Sequence, residues 1–130
     1  MGGRPGTRGP GVKRGEIWWA DLGPYRTGEQ TGRRPVIVWQ SDTLTRLLQS
    51  VLAVPLTTNL DRAKLAGTAL VSASDGGLTS DSVAMAFQMR AIPKERLKTR
   101  IRSLSAEEFA EMELATDEAV GRVEPDADLE

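Results

Sequence analysis

The sequence predicts a small antiparallel β-barrel with short helices and one C-terminal α-helix. Three observations carry this. Five or six short apolar stretches are separated by Gly, Pro and Asp turns that leave little room for helix. A run S-x-x-E at Ser105 and Glu108 then opens a segment with apolar residues every three or four positions. Finally, 130 residues make one domain with a real core but not two.

Residues 1–13 are rich in Gly, Pro and Arg and read as a disordered basic tail, either an extension or a phosphate-binding arm. Residues 16–22 (EIWWADL) form a strand stopped by Gly23-Pro24. Trp18 and Trp19 face opposite sides of it, one into the core and one free for a dimer contact or a base. A loop runs to Arg34, and residues 35–40 make a second strand in which Trp39 is core or interface. Ser41 or Asp42 caps a short helix, 43–49. Residues 50–56 (SVLAVPL) are a third strand, with Pro55 marking an edge or a bulge.

Residues 68–72 and 82–89 follow as strands around an Asp75-Gly76-Gly77 turn. Pro93 opens a helical turn at 94–97, and 100–103 are a last short strand. The capping box starts the final helix, whose stripe of Phe109, Met112, Thr116, Ala119 and Val120 is core packing. The expected domain is 14–121, followed by an acidic tail, 122–130.

Composition narrows the chemistry. With no Cys there is neither a disulfide framework nor a thiolate metal site, and with no His a metal centre is not expected. No apolar run approaches the ~18 residues of a membrane span, and residues 1–11 lack the apolar core of a secretory signal. A cytoplasmic protein without cofactor follows as the expectation. Residues 105–130 hold ten acids against Arg122, a balance of −9, while residues 1–104 carry sixteen Lys/Arg and eight Asp/Glu, +8. A basic body with an acidic end suits an anionic partner such as nucleic acid, although an acidic helix face with ordinary surface cations explains it equally.

The most informative stretch is Gly28-Glu29-Gln30-Thr31-Gly32-Arg33-Arg34-Pro35, which runs into Val36-Ile37-Val38-Trp39. It places a carboxylate, an amide and two guanidinium groups on a Gly-rich loop anchored to rigid sheet, where functional groups tend to sit. Arg34, Thr57 and Gln88 also have bland readings: a solvated arginine, a strand-end threonine and a buried amide. Glu29 either pairs with Arg33 or accepts a proton. Arg90 and the run Arg96, Lys98, Arg100, Arg102 are a solvated face or a track for a nucleic-acid backbone. Tyr25 anchors the loop or stacks on a base.

Taken in order, Arg14-Gly15-Glu16-Ile17-Trp18, Asp21-Leu22-x-Pro24, Gly28-Glu29-Gln30-x-Gly32-x-Arg34-Pro35, Val54-Pro55-Leu56-Thr57-Thr58-Asn59 and Asp81-Ser82-Val83 with Gln88-x-Arg90 resemble the MazF/PemK toxin family. The resemblance covers residues 14–120. It implies an SH3-like barrel that acts as a homodimer, cuts single-stranded RNA (mRNA, with tRNA or rRNA as further targets) without a metal, and is blocked by a cognate antitoxin.

Carried over residue by residue, the resemblance makes Arg34 and Thr57 catalytic. It assigns Glu29, Gln30 and Gln88 to polar site positions. Arg33, Thr58, Asn59, Arg90 and Tyr25 are further candidates for contact with RNA. Phe87 departs from the pattern, since the family often has a carboxylate there. Two other readings stay open: a non-catalytic RNA-binding barrel, and a gyrase poison on the same fold. The second relies on an aromatic-bearing C-terminal end, which residues 123–130 lack.

Overall fold

The computed structural model describes residues 11–23, 32–73 and 77–125. Seven strands are found among them: β1 (Glu16–Asp21), β2 (Arg33–Val38), β3 (Ser50–Thr57), β4 (Thr68–Val71), β5 (Ser82–Met85), β6 (Arg90–Pro93) and β7 (Leu97–Ser103). The helices are α1 (Asp42–Leu47) and α2 (Ala106–Ala119), and 3-10 turns occupy Leu60–Lys64, Ala86–Gln88 and Lys94–Arg96. The strands form one antiparallel sheet in the order β4-β5-β3-β2-β1-β7, with β6 also paired to β3. The sheet is not closed: β4 and β7 are its two ends.

Alternation along the strands sends side chains into two separate cores. Ile17, Ile37, Val54 and Leu56 pack with β4, β5 and the Met112 and Ala115 face of α2. The intervening residues Ala20, Val36, Val38, Val51 and Ala53 pack with Leu22, Ile92 and Leu97 on the opposite side. Each fully buried Ile, Val or Leu in these clusters contributes about 1.5–3 kcal/mol. Trp18 and Trp19 point to opposite sides as expected, and Trp39 is core.

Several expected boundaries move. The strand expected at 82–89 stops at Met85, and Ala86–Gln88 turn as a 3-10 element before a strand that was not anticipated, β6. Ala86 remains buried in the turn, so the apolar pattern carries on through it and hides the break. The last strand begins at Leu97 rather than 100. Pro55 is not on an edge strand. β3 is central, and Pro55 lies between the stretch that pairs with β6 (50–53) and the stretch that pairs with β5 (56–57), where the strand changes neighbours. Val12, within the expected tail, packs against the second core.

β4 is an end strand, and an open strand edge invites pairing with another chain. Here α2 covers it with carboxylates. Glu108 accepts the Ser72 N–H at 2.9 Å, Glu111 the Leu70 N–H at 3.4 Å, and Glu118 the Gly67 N–H at 2.9 Å. Glu108 also closes the capping box with Ser105 and pairs with Arg102 at 2.8 Å. Gly15 joins this region to the barrel: its φ of +90° and the Phe109 ring, 2.9 Å from where a Cβ would sit, leave room for glycine alone. Beside it the Arg14 guanidinium lies 3.8 Å from the Trp39 ring centre and 4.7 Å from that of Phe109.

Burial works against the charge of Glu108. The hydrogen bond from Arg102, the N–H groups of Ser105 and Ser72, and the Arg102 charge outweigh it and hold the carboxyl, ordinarily near 4.5, at about 2. A folded-state pKa below the unfolded one gives stability that is complete above pH 4.5 and lost as pH falls toward 2. Thermal melting from pH 6 to pH 2 is expected to show this acid loss, and Glu108→Gln to flatten it while lowering stability at pH 7 by about 2–4 kcal/mol. An unchanged pH profile in the variant would remove Glu108 as its source.

Candidate functional site

The site begins where two adjacent strands end. β2 and β3 pair through Val36–Pro55, Ile37–Val54 and Val38–Ala53. Arg34 stands two residues beyond the Val36–Pro55 pair on β2, and Thr57 two residues beyond it on β3. Equal steps from one pair bring the two strand ends side by side, and the period of two puts both residues on the face of Val36, away from α2. Arg34 is exposed and lies across from Ala20 of β1. Thr57 is half-buried, and its Oγ1 accepts the Asn59 N–H at 3.2 Å. That bond uses an oxygen lone pair and orients the hydroxyl, whose own hydrogen remains a donor.

The other sequence candidates divide. Arg90 joins this face from β6, opposite Ala53, and its Nη2 donates to the Leu22 carbonyl at 3.1 Å. Gln88 is half-buried at the end of the 3-10 turn two residues earlier, not on a fifth strand as expected. Thr58 is exposed beside Thr57. Asn59 is committed locally, because its side chain accepts the Asp61 N–H at 3.1 Å and caps Leu60–Lys64.

Arg33 faces away from Arg34. It is opposite Asp21, with its guanidinium 5.3 Å from the Trp19 ring centre. Glu29, Gln30 and Tyr25 lie outside the described residues. The base of their loop is described: Leu22 N–H donates to Gly32 O at 2.8 Å and Gly32 N–H to Gly23 O at 3.1 Å. Phe87 does not approach this site, since its ring lies against Gly67 near the end of α2.

The expected basic track breaks up as well. Arg102 is held by Glu108 and the Ser72 carbonyl, and Arg100 by Glu16 at 2.9 Å. Arg96 is the member that turns to the site end of the barrel, where its Nη1 donates to the Asp21 carbonyl at 3.2 Å. No local spacing announces this contact, because its partners are 75 residues apart. Glu108, Glu111 and Glu118 of α2 bond the β4 region and Arg102 on the other core, and Asp117 pairs with Arg122, while Arg34, Arg90 and Arg96 stand at the site end.

Fold and site together define a small β-domain with cationic side chains around a strand-end threonine, backed by one acidic helix. The chain belongs to the family described as PemK-like, MazF-like toxin of type II toxin-antitoxin system, whose model matches residues 13–119. It is 32% identical over 110 residues to the endoribonuclease MazF of Staphylococcus epidermidis, spanning 85% of this chain and 92% of that protein. The endoribonuclease MazF of Staphylococcus saprophyticus is 33% identical over the same shares.

Among solved structures, a mycobacterial endoribonuclease in complex with its cognate antitoxin superposes with a TM-score of 0.71 at 22% identity, covering 88% of this chain and 99% of that one. MazF from Deinococcus radiodurans gives 0.70 at 20%, covering 85% and 96%. These two likenesses are of fold.

The Thr57 hydroxyl has a measurable structural share. Thr57→Val removes the acceptor of the Asn59 N–H and is expected to cost about 0.5–1 kcal/mol, read as a small fall in melting temperature, while Thr57→Ser keeps the native value. A Thr57→Val that melts like wild type beside a destabilised Thr57→Ser would place the effect in packing of the Thr57 methyl instead.

Proposed function

We propose that this chain is the toxin of a toxin–antitoxin pair and cleaves single-stranded RNA at specific sequences without a metal ion. The observation that carries the chemistry is the pairing of Arg34 and Thr57 at neighbouring strand ends on one face. RNA brings its own nucleophile, the 2′-OH. The 2′-oxygen forms a bond to the adjacent phosphorus, the bond from phosphorus to the 5′-oxygen breaks, and the five-coordinate transition state carries two negative charges. The proton leaves the 2′-OH for a base, and another reaches the departing 5′-oxygen. The products are a 2′,3′-cyclic phosphate and a 5′-OH.

A guanidinium suits the equatorial oxygens because its planar fork donates two bonds to a phosphate. Arg34 takes this role. The Thr57 hydroxyl, oriented by Asn59 N–H, donates to the same phosphate or aligns the 2′-OH. A guanidinium holds its proton too tightly to serve as base, and Glu29 is the assigned proton acceptor. Gln30, Arg33, Thr58, Asn59, Gln88, Arg90 and Tyr25 are assigned to contact with RNA. For Arg33 the route is along the Trp19 side rather than beside Arg34.

A homodimer and a cognate antitoxin complete the reading, and the basic face around Arg34 and Arg90 favours an acidic, apolar-dotted peptide as inhibitor. The site of action is the cytoplasm, where such RNA is found. No helix among the described residues is long and apolar enough to cross a membrane.

The test is cleavage of a long single-stranded RNA in EDTA, with the new ends mapped and their chemistry determined. Site-specific cuts with cyclic phosphate ends are expected. Arg34→Ala should lower the rate about 10²–10³-fold, and Thr57→Val should lower it well beyond its small stability cost. RNA left intact by folded protein would transfer the assignment to a binding module, and full activity in Arg34→Ala would remove that residue from the chemistry.

A further inference from the structure

We propose that Arg96 is a positioning residue for RNA cleavage: its guanidinium clamps the stem of the loop that joins β1 to β2 and so fixes the strand end that presents Arg34. This rests on the endoribonuclease reading and assigns a task to a side chain that the Arg34–Thr57 centre does not include.

Beyond their ladder, β1 and β2 continue as a short stem. Leu22 N–H donates to Gly32 O at 2.8 Å and Gly32 N–H to Gly23 O at 3.1 Å. Both glycines have a positive φ, +84° at Gly23 and +73° at Gly32. Glycine adopts this backbone freely and brings no side chain that could pack and fix its direction. The stem therefore needs a hold from another element. Among the described residues no atom comes within 4 Å of a Cβ built on Gly32. At Gly23 the reverse is true: a Cβ would lie 2.8 Å from Arg96 Nη1, 3.7 Å from its Cζ and 3.9 Å from its Nη2. The guanidinium occupies the space that a side chain at Gly23 would take.

The same group reaches two residues further back, where Arg96 Nη1 donates to the Asp21 carbonyl at 3.2 Å. Asp21 in turn accepts the Gly23 N–H on its carboxylate at 3.0 Å. The two residues that flank Leu22 are thus tied to each other, and both touch one half-buried arginine from the Lys94–Arg96 turn. That turn is itself anchored, because the next residue, Leu97, is buried in the second core and pairs with Ala20.

Arg34 stands directly behind the clamp. It pairs with Ala20, and Arg33 pairs with Asp21. A displacement of Asp21 is passed across this register to Arg33 and Arg34, and a shift of about 1 Å at a reacting centre can cost about a hundredfold in rate.

Arg96→Met keeps the length of the side chain and removes the donor, and Arg96→Lys returns a donor. In amide hydrogen exchange, Leu22 and Gly32 of Arg96→Met are expected to exchange about tenfold faster than in wild type, while amides of the β2–β3 ladder keep their rates. With an oligoribonucleotide spanning a mapped cleavage site, Arg96→Met, melting like wild type, should lose about tenfold in kcat with KM and its salt dependence unchanged. Arg96→Lys should recover part of both losses. A residue that instead contacted the RNA backbone would raise KM when replaced by Met and make the salt slope shallower by about 0.7.

Unchanged exchange at Leu22 and Gly32 in Arg96→Met would overturn the positioning role, and so would a raised KM with a shallower salt slope and an undiminished kcat. Either result leaves the endoribonuclease reading standing, because wild type still cuts. Wild-type protein that leaves RNA uncut would sink both.

Discussion

β3 has to serve two halves of the molecule at once. Its first half pairs with β2 and β6 and lines the second core with Val51 and Ala53. Its last residues pair with β5 and put Leu56 into the core beneath α2. The change of neighbour falls at Val54–Pro55, and proline suits an interval in which one side of the strand has no ladder to continue. Everything beyond this point depends on it. After the switch Thr57 pairs with Val83 of β5 and ends the strand beside Arg34, and the next residues fold back so that Asn59 N–H reaches its hydroxyl.

The two ends of the sheet are handled differently. At β4 the open edge is covered by helix, and the carboxylates of Glu108, Glu111 and Glu118 take up N–H groups at its start, middle and end. Three acids along one helix face, read as a solvated stripe in the sequence, are thus components of the fold. Glu108 has the largest share, since it also closes the cap of α2 and holds Arg102. A carboxylate with this many donors keeps its charge in a buried place because the alternative leaves both Arg102 and two backbone N–H groups, of Ser72 and Ser105, without their acceptor. At β7 the edge is protected by Lys98, Thr99 and Arg100, exposed polar residues that resist pairing with another chain.

How much of this was legible in the sequence varies with the range of the interaction. The capping box at Ser105 and Glu108 was readable because both partners lie three residues apart and the motif has one physical meaning. β1, β2 and β3 were readable to within two residues because each alternates or runs apolar between clear turn residues. The 3-10 turn at Ala86–Gln88 was not, because a buried alanine in a turn looks the same as one in a strand. β6 has four residues and ends in proline, too short and too interrupted to stand out.

At the site, Arg34 and Thr57 could be named from their motifs, but their shared face follows only from the β2–β3 register. The contacts of Arg90 with Leu22 and of Arg96 with Asp21 span 68 and 75 residues, and nothing local encodes them. Gly28–Pro35, the most informative stretch of sequence, is described only from Gly32 onward.

The near-neutral total charge conceals the arrangement that makes chemistry without histidine feasible. A phosphodiester approaching this face meets the guanidinium groups of Arg34 and Arg90, while Glu108, Glu111 and Glu118 of α2 are spent on the β4 region and Arg102 across the other core. The sheet is the divider. Alternation along β2 sends Arg34 to the face away from α2, so the sheet stands between it and the helix acids. Attraction for an anionic strand then depends on the local field rather than the net charge, and that field acts over about a Debye length, 8–10 Å at ordinary salt. Arg34 on β2 and Leu97 on β7 flank Ala20 of β1, so their backbones are two strand spacings, roughly 10 Å, apart, on the scale of that field.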